Sequence, residues 1–138
     1  MEDLLNRKSV KKVKNFLANY DKSINLIILE KTARTAKDAA SSLNQSVGAI
    51  VKSLLFKDSS DNYHLCLVSG DKYASIEKIS KIIGLSIEKA NADECKIFTG
   101  FSIGGVSPIA HDNMPKSILI DKNLSRYEKI FAAAGHPH

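Results

Sequence analysis

The stretch that decides the fold of this chain is Ala49-Ile50-Val51-Lys52-Ser53-Leu54-Leu55-Phe56. Its short length and its β-branched and apolar residues predict a β-strand. Because side chains alternate along a strand, Lys52 shares one face with bulky apolar neighbours, Ile50 and Leu54 among them. A lysine in that setting extends to an edge of the sheet, finds a partner, or lines a cavity. The pattern alone leaves edge placement and cavity lining open.

Regular elements are predicted on both sides of this strand. Residues 63–69 predict a second strand, and the polar residues 58–62 between the two are typical of a hairpin loop. Further strands are predicted at 24–30, 86–89 and 117–121, and helices after the capping residues Ser9, Thr35 and Asn91 and from about Ser75 to Ile83. Gly84 is expected to end the third helix. This alternation predicts a single α/β domain with a mixed, largely antiparallel sheet and helices packed around it.

Composition sets limits on the class of protein. The chain has 138 residues, 43% hydrophobic and 25% charged, which is ordinary for one soluble globular domain. No apolar run is long enough to span a bilayer and the N-terminus lacks a signal-peptide pattern, so we expect a cytoplasmic protein without membrane contact. Cys66 and Cys95 are then expected to be free thiols, and neither has the neighbours of a zinc site.

Positive charge is concentrated in the first predicted helix. The net charge is +5, and the basic residues of this helix lie opposite an apolar stripe. They are Arg7, Lys8, Lys11, Lys12 and Lys14. Such a face is either solvated or used for contacts with nucleic-acid phosphates, and the sequence leaves both interpretations open.

A glycine-rich loop is predicted from Thr99 to Pro108. This segment holds three of the seven glycines and one of the three prolines. Glycine has no Cβ to keep a ligand away from the main chain, and proline fixes its own φ. We therefore predict a loop that presents backbone N–H groups to a carbonyl or phosphate oxygen, in preference to a simple bulged turn.

Together, the strand lysine and the glycine loop resemble the YbaK/prolyl-tRNA synthetase-associated editing domain family, whose members are aminoacyl-tRNA deacylases that act in trans. The matching blocks are residues 32–36, 39–40, 50–54, 67–71, 99–108, 120–121 and 134–135. The resemblance implies one barrel-like domain over residues 1–138, with a strand at 127–134, although the alanines there favour a helix. It also implies a further strand and helix beyond residue 138, and no cofactor or metal.

In that family a lysine and a Gly-x-x-x-Pro loop mark the active site, and here these fall on Lys52 and on Gly104 to Pro108. Hydrolysis of an activated ester needs a positioned water and stabilisation of the oxyanion more than a strong nucleophile. We expect backbone N–H groups around Gly104 and Gly105 to provide that stabilisation. Lys52 would anchor the terminal nucleotide or the ester, or act as a general base if burial lowers its pKa. The other expected substrate-binding residues are Thr32, Ser53, Gly100, Phe101, Ile103, Val106, Ser107, Pro108 and His136.

The predicted reaction is removal of a small mischarged amino acid from the acceptor end of a tRNA, with an aminoacyl-tRNA synthetase as a second partner. Ser53 stands where alanine-specific members of the family are expected to carry asparagine, so the chain looks closer to other branches, and tRNA(Pro) is one candidate. Two alternatives stay open. One is a non-catalytic module that binds a tRNA end or a nucleotide and assists a synthetase. The other is a hydrolase of small molecules unrelated to tRNA.

Overall fold

The computed structural model describes residues 4–21 and 23–138. Its helices are α1 (Lys8–Tyr20), α2 (Ala36–Leu43), α3 (Ile76–Ile83) and α4 (Ala92–Thr99). Its strands are β1 (Val51–Asp58), β2 (Tyr63–Ser69), β3 (Ile87–Lys89) and β4 (Ser117–Ile120). Short 3₁₀ turns occur at Leu4–Asn6, Val47–Ala49 and Lys122–Arg126. None of the helices in the described ranges is long and apolar enough to cross a membrane.

The strands form one mixed sheet in the order β3-β1-β2-β4. The hairpin β1–β2 is antiparallel, with Lys52 opposite Val68, and β3 pairs antiparallel with the end of β1. Only β4 runs parallel to its neighbour β2. The prediction of a mixed, largely antiparallel sheet is therefore confirmed. Since β3 and β4 are its two edges, the sheet is open, and the barrel-like closure is not found in the described residues.

The two faces of the sheet pack against different elements. Leu55 lies in a cluster with Val13 of α1 and with Phe101 and Val106 of the glycine-rich loop. The next residue, Phe56, points to the opposite face and joins a second cluster that includes residues of β2 and α3. The strand alternation inferred from the sequence thus places α1 and the loop on one face and α3 on the other. Both cysteines are free, as predicted, and both are buried.

Most predicted helix ends are confirmed by their hydrogen bonds. The Thr35 side chain accepts from the Asp38 N–H, Asn91 and Glu94 form a capping box, and Gly84 ends α3 with a φ of 85°. Ser9 is different, because α1 already begins at Lys8 and the Ser9 hydroxyl donates to the Gly135 carbonyl at 2.7 Å. The prediction of Ser9 as a cap is wrong, and this residue instead ties α1 to the tail.

Two predicted strands are wrong. Residues 24–30 contain no strand, and the Leu29 N–H donates to the carbonyl of His138. Residues 127–134 form neither a strand nor a helix and make one parallel bridge, between Phe131 and Ile50. In both segments the backbone finds isolated partners far away in sequence, so no continuous ladder of hydrogen bonds develops.

Candidate functional site

A cavity of about 1000 Å³ lies between α1, α2, β1, the glycine-rich loop and the tail. Apolar side chains form most of its wall, including the segment 24–29 that was predicted as a strand. The predicted site residues that line it are Lys52, Ser53, Ile103, Gly104, Val106, Ser107, Pro108 and His136. The structure therefore brings β1 and the loop to one cavity.

The middle of β1 borders this cavity because the sheet has a gap there. β3 pairs only with residues 56–58 of β1, and Phe131 bridges only Ile50 at its start. Within the gap, the Ser53 hydroxyl is buried and has no hydrogen-bond partner among the described residues. A buried hydroxyl without a partner is uncommon in folded proteins, so Ser53 offers the cavity a polar group that a ligand can satisfy.

The beginning of the loop is fixed by hydrogen bonds at the end of α4. α4 ends at Gly100, whose φ is 84°, and the Thr99 hydroxyl donates to the Cys95 carbonyl at 2.6 Å and accepts from the Phe101 N–H at 3.0 Å. The Phe101 side chain is fully buried beneath the loop. Gly100 and Phe101, predicted to bind substrate, do not line the cavity, and Phe101 shapes it by supporting the loop.

Lys12 fixes the same loop from α1. Its ammonium donates to the Thr99 carbonyl at 3.0 Å, pairs with Asp112 at 2.6 Å and lies 4.4 Å from the centre of the Phe101 ring. The Lys12 ammonium is therefore used by contacts within the protein, whereas Lys8, Lys11 and Lys14 of the predicted basic face are exposed to solvent.

The hydrogen bonds of the loop decide which N–H groups are available to a ligand. The Gly105 N–H donates to the Ser102 carbonyl at 3.0 Å, which closes a turn, so it does not face the cavity as we expected. The N–H groups of Gly104, Val106 and Ser107 have no acceptor in the described part of the chain. All three residues border the cavity, but Ser107 is fully buried, so Gly104 and Val106 replace Gly105 as the candidate donors.

Gly105 instead holds the tail against the loop. Its carbonyl accepts from the Gly135 N–H at 2.9 Å, and a Cβ at position 105 would lie 2.9 Å from the His136 nitrogen. The predicted residue Thr32 is also used by the tail, since its hydroxyl lies 2.8 Å from Nε2 of His138. Thr32 does not line the cavity.

Lys52 combines two of the placements expected from the sequence, a cavity and a hydrogen-bond partner. It lines the cavity, while its ammonium donates to the Lys72 carbonyl and lies 4.9 Å from the centre of the Tyr73 ring, at the turn after β2. Burial lowers the pKa of Lys52, and the carboxylates of Asp71 and Asp121 act in the opposite direction. In this structure the ammonium is therefore engaged at the turn after β2.

Two histidines differ in their relation to the cavity. His136 lines it, whereas His111 lies behind the loop, where Nε2 donates to the Ser107 carbonyl at 2.6 Å. Burial is the largest influence on His111 and lowers its pKa, so the neutral ring supports the loop. Within the described residues, no group of three or more His, Cys, Asp or Glu side chains is placed to hold a metal ion.

The charge of the cavity was not anticipated from the sequence. Arg34, Lys52 and Lys89 line it, and none of the described lining residues is Asp or Glu. Arg34 lies over the loop, with Nη1 3.4 Å from the position of a Cβ on Gly104. The sequence did contain a sign of Arg34, because this residue lies inside the block 32–36 on which the family resemblance depends. Its neighbours in the sequence gave no reason to choose it as a site residue.

An open α/β sheet, a backbone-presenting loop and a cationic cavity define a domain suited to holding an anionic ligand beside N–H donors. The family model for the aminoacyl-tRNA editing domain matches residues 30–138, and the chain belongs to this family. The uncharacterized protein YwhH of Bacillus subtilis strain 168 is 28% identical over 129 residues, which are 92% of this chain and 80% of that protein.

Other matches connect the chain with prolyl-tRNA synthetases. A proline–tRNA ligase of Thermosipho africanus is 34% identical over 103 residues, 74% of this chain but only 18% of the ligase. Among solved structures, a protein proposed to be a trans-editing enzyme for prolyl tRNA synthetase superposes with a TM-score of 0.88 at 32% identity, covering 96% of this chain and 83% of that one. The hypothetical protein APE2540 gives a TM-score of 0.83 at 28% identity, over 91% of this chain and 83% of its own.

Proposed function

We propose that this protein hydrolyses the ester between a small, wrongly attached amino acid and a tRNA, acting in trans in the cytoplasm. One arrangement carries the proposal: the N–H groups of Gly104 and Val106, which have no acceptor in the described residues, belong to the same cavity as Lys52. Fixed backbone donors stabilise the negative charge that develops on a carbonyl oxygen during acyl transfer. No strong nucleophile is required, because the aminoacyl ester is already activated.

In the proposed reaction, water attacks the ester carbon and the carbonyl oxygen becomes an oxyanion that accepts hydrogen bonds from the loop. The bond between the carbonyl carbon and the ribose oxygen then breaks, the ribose oxygen takes a proton, and the free amino acid leaves. Lys52 uses one N–H for the Lys72 carbonyl, and its remaining donors are available for the ribose or a phosphate. Burial, which lowers the pKa of Lys52, also favours the alternative role of general base.

The substrate is a tRNA end carrying a small amino acid. A cavity of about 1000 Å³ accommodates a terminal nucleoside together with its amino acid. Ile103, Val106 and Pro108 would form the apolar wall around the side chain, and Ser53 would add a polar contact. Similarity to proline–tRNA ligases and to a proposed trans-editing enzyme for prolyl tRNA synthetase supports tRNA(Pro) as the first substrate to test, with the synthetase as a partner.

The decisive experiment incubates the protein with a panel of mischarged tRNAs and measures the loss of ester over time. The wild-type protein should release one or two small amino acids, and Lys52→Ala should slow this on the order of a hundredfold without a change in melting temperature, because charge stabilisation is lost. Lys57→Ala is the matched control. Lys57 belongs to the same strand but pairs with Glu94 and Asp61 at 3.5 Å, outside the cavity lining.

Three outcomes would contradict the proposal. Full activity of a folded Lys52→Ala variant would remove the lysine from the mechanism. Tight tRNA binding without turnover on any member of the panel would make the domain a recognition module. Hydrolysis of simple esters without salt-dependent RNA binding would make it a hydrolase of small molecules. A rate that is flat across the neutral pH range would separately exclude Lys52 as a general base.

A further inference from the structure

Arg34 is an exposed cation whose backbone is fixed on both sides. The Ala33 N–H donates to the Pro137 carbonyl at 2.7 Å, and Thr35 caps α2 by accepting from the Asp38 N–H at 3.1 Å. The residue between them therefore cannot move far, although its side chain is exposed. Its position relative to the loop is a property of the fold and does not depend on a mobile segment.

The side chain of Arg34 lies along the outer surface of Gly104. A Cβ built on Gly104 would lie 3.4 Å from Nη1, 3.5 Å from Cγ and 3.9 Å from Cβ of Arg34. These are ordinary van der Waals distances, so the arginine stem packs beside Gly104 without crowding it, and Arg34 and Gly104 both line the cavity. The guanidinium is placed beside one of the candidate oxyanion donors.

Arg34 has no acidic partner in the described part of the chain. The carboxylates that form ion pairs there are bound to other cations, as Asp71 is to Arg126 and Asp112 is to Lys12. The described residues that line the cavity include no Asp or Glu. A guanidinium that is unpaired, held in place and next to a cavity is suited to an anion from the ligand, and its planar donors match the oxygens of a phosphate.

The chemistry of the substrate decides which anion this is. In an aminoacyl-tRNA the carboxyl group of the amino acid is esterified and uncharged, and the free amino group carries positive charge. The only anions near the ester are the phosphodiesters of the RNA. A cation beside the loop therefore cannot serve the amino acid, and it matches the backbone of the terminal nucleotides.

We propose that Arg34 binds the phosphodiester next to the terminal nucleoside and so positions the ester against Gly104, an inference that rests on the proposed function. Arg34 is a positioning residue in this scheme: it holds the RNA end and takes no part in bond breaking. Its contribution should appear only with substrates that carry that phosphodiester.

The test compares two substrates, a short aminoacylated RNA ending in CCA and the corresponding aminoacyl-adenosine, which has no phosphate. With the RNA, Arg34→Gln should raise KM about tenfold or more, because a charge-assisted contact is lost, and should change kcat much less. The slope of log affinity against log salt should become shallower by about 0.7. With aminoacyl-adenosine, the variant and the wild type should be equally active. Arg34→Lys should keep the salt slope and recover only part of the affinity.

Lys78→Gln is the matched control, since it removes one positive charge from α3, on the other face of the sheet and outside the cavity lining. It should behave as the wild type with both substrates. If Arg34→Gln lost the same activity on both substrates, Arg34 would only pack against the loop. If it lost activity on neither substrate, the contact between Arg34 and the phosphodiester would be excluded. Binding of the uncharged CCA-ended RNA is measured in parallel. If that binding depends on Arg34 but the wild type hydrolyses nothing, the phosphate contact stands and the proposed function fails.

Discussion

At the scale of single residues, the glycines of the loop serve different purposes. Gly104 has a φ of 95°, lines the cavity and has an N–H without an acceptor in the described residues, whereas Gly105 lacks such a φ and has its space filled by the tail. A methyl group at Gly105 would lie 2.9 Å from the His136 nitrogen and 3.0 Å from the Gly135 carbonyl carbon. Both atoms belong to the backbone, so neither can rotate away.

We therefore expect Gly105→Ala to displace the tail and to lower both stability and deacylation. Overpacking of this kind costs about 1–3 kcal/mol of the free energy of unfolding. Gly84→Ala is the control, because position 84 has a φ of 85° and nothing within 4 Å of a new Cβ. It should lose about 1 kcal/mol through backbone strain and keep full activity. Urea unfolding and kcat/KM measure the two effects, and full activity of Gly105→Ala would show that the tail does not shape the loop.

At the scale of elements, a helix or strand could be predicted when the residues that cause it lie within a few positions of it. β1, α2, α3 and α4 follow from β-branched runs, capping residues and a terminal glycine that act within a few positions. Residues 24–30 and 127–134 were wrongly predicted as strands, because their backbone partners, His138 and Ile50, lie far away along the chain. The same holds for the candidate site. Lys52 and the glycine-rich loop could be predicted from the sequence, but the N–H groups that remain available to a ligand could not, because they depend on which N–H donates to the Ser102 carbonyl in the turn.

One buried cluster joins the elements on the α3 side of the sheet. His64 of β2 is 2% exposed, with Nε2 2.7 Å from Asp58 at the end of β1 and Nδ1 2.5 Å from the hydroxyl of Ser117 in β4. The hydrogen bond from His64 is the largest cause of a lowered pKa at Asp58, and the N–H groups of Asn62 and Ser60 add to it. The cluster therefore holds the hairpin turn and the edge strand β4 to β2.

We predict that His64→Phe lowers the free energy of unfolding by about 1–3 kcal/mol, because buried hydrogen-bonding groups on two neighbouring elements lose their partner. Ser117→Ala should have a smaller effect of about 1 kcal/mol, since Ser117 is partly exposed. Both variants should keep their specific activity at temperatures where they are folded. Urea unfolding measures the change, and loss of activity without loss of stability would assign His64 a function that its position on this face does not suggest.

At the scale of the whole molecule, an ion pair links the turn after β2 to the 3₁₀ turn that follows β4. Arg126 binds Asp71 through two nitrogens at 2.7 and 3.1 Å and donates to the Ser69 hydroxyl at 2.9 Å. The guanidinium lowers the pKa of Asp71 to about 2. The turn fixed in this way includes Lys72, whose carbonyl holds the ammonium of Lys52. The pair therefore connects global stability with the candidate site.

The depressed pKa of Asp71 fixes the direction of a pH effect. An aspartate in an unfolded chain titrates near pH 4, so the stabilisation from this pair is complete above that pH and is lost as the pH falls towards about 2. Arg126→Met should be less stable than the wild type near pH 7, and the difference should shrink between about pH 4 and 2, because protonated Asp71 no longer gains from the pair. Urea unfolding of both proteins across this range measures the difference, with Lys78→Gln as a variant whose curve should parallel the wild type. A difference that stays constant down to pH 2 would mean that Arg126 stabilises the two turns by packing and hydrogen bonds to Ser69, without a contribution from the charge of Asp71.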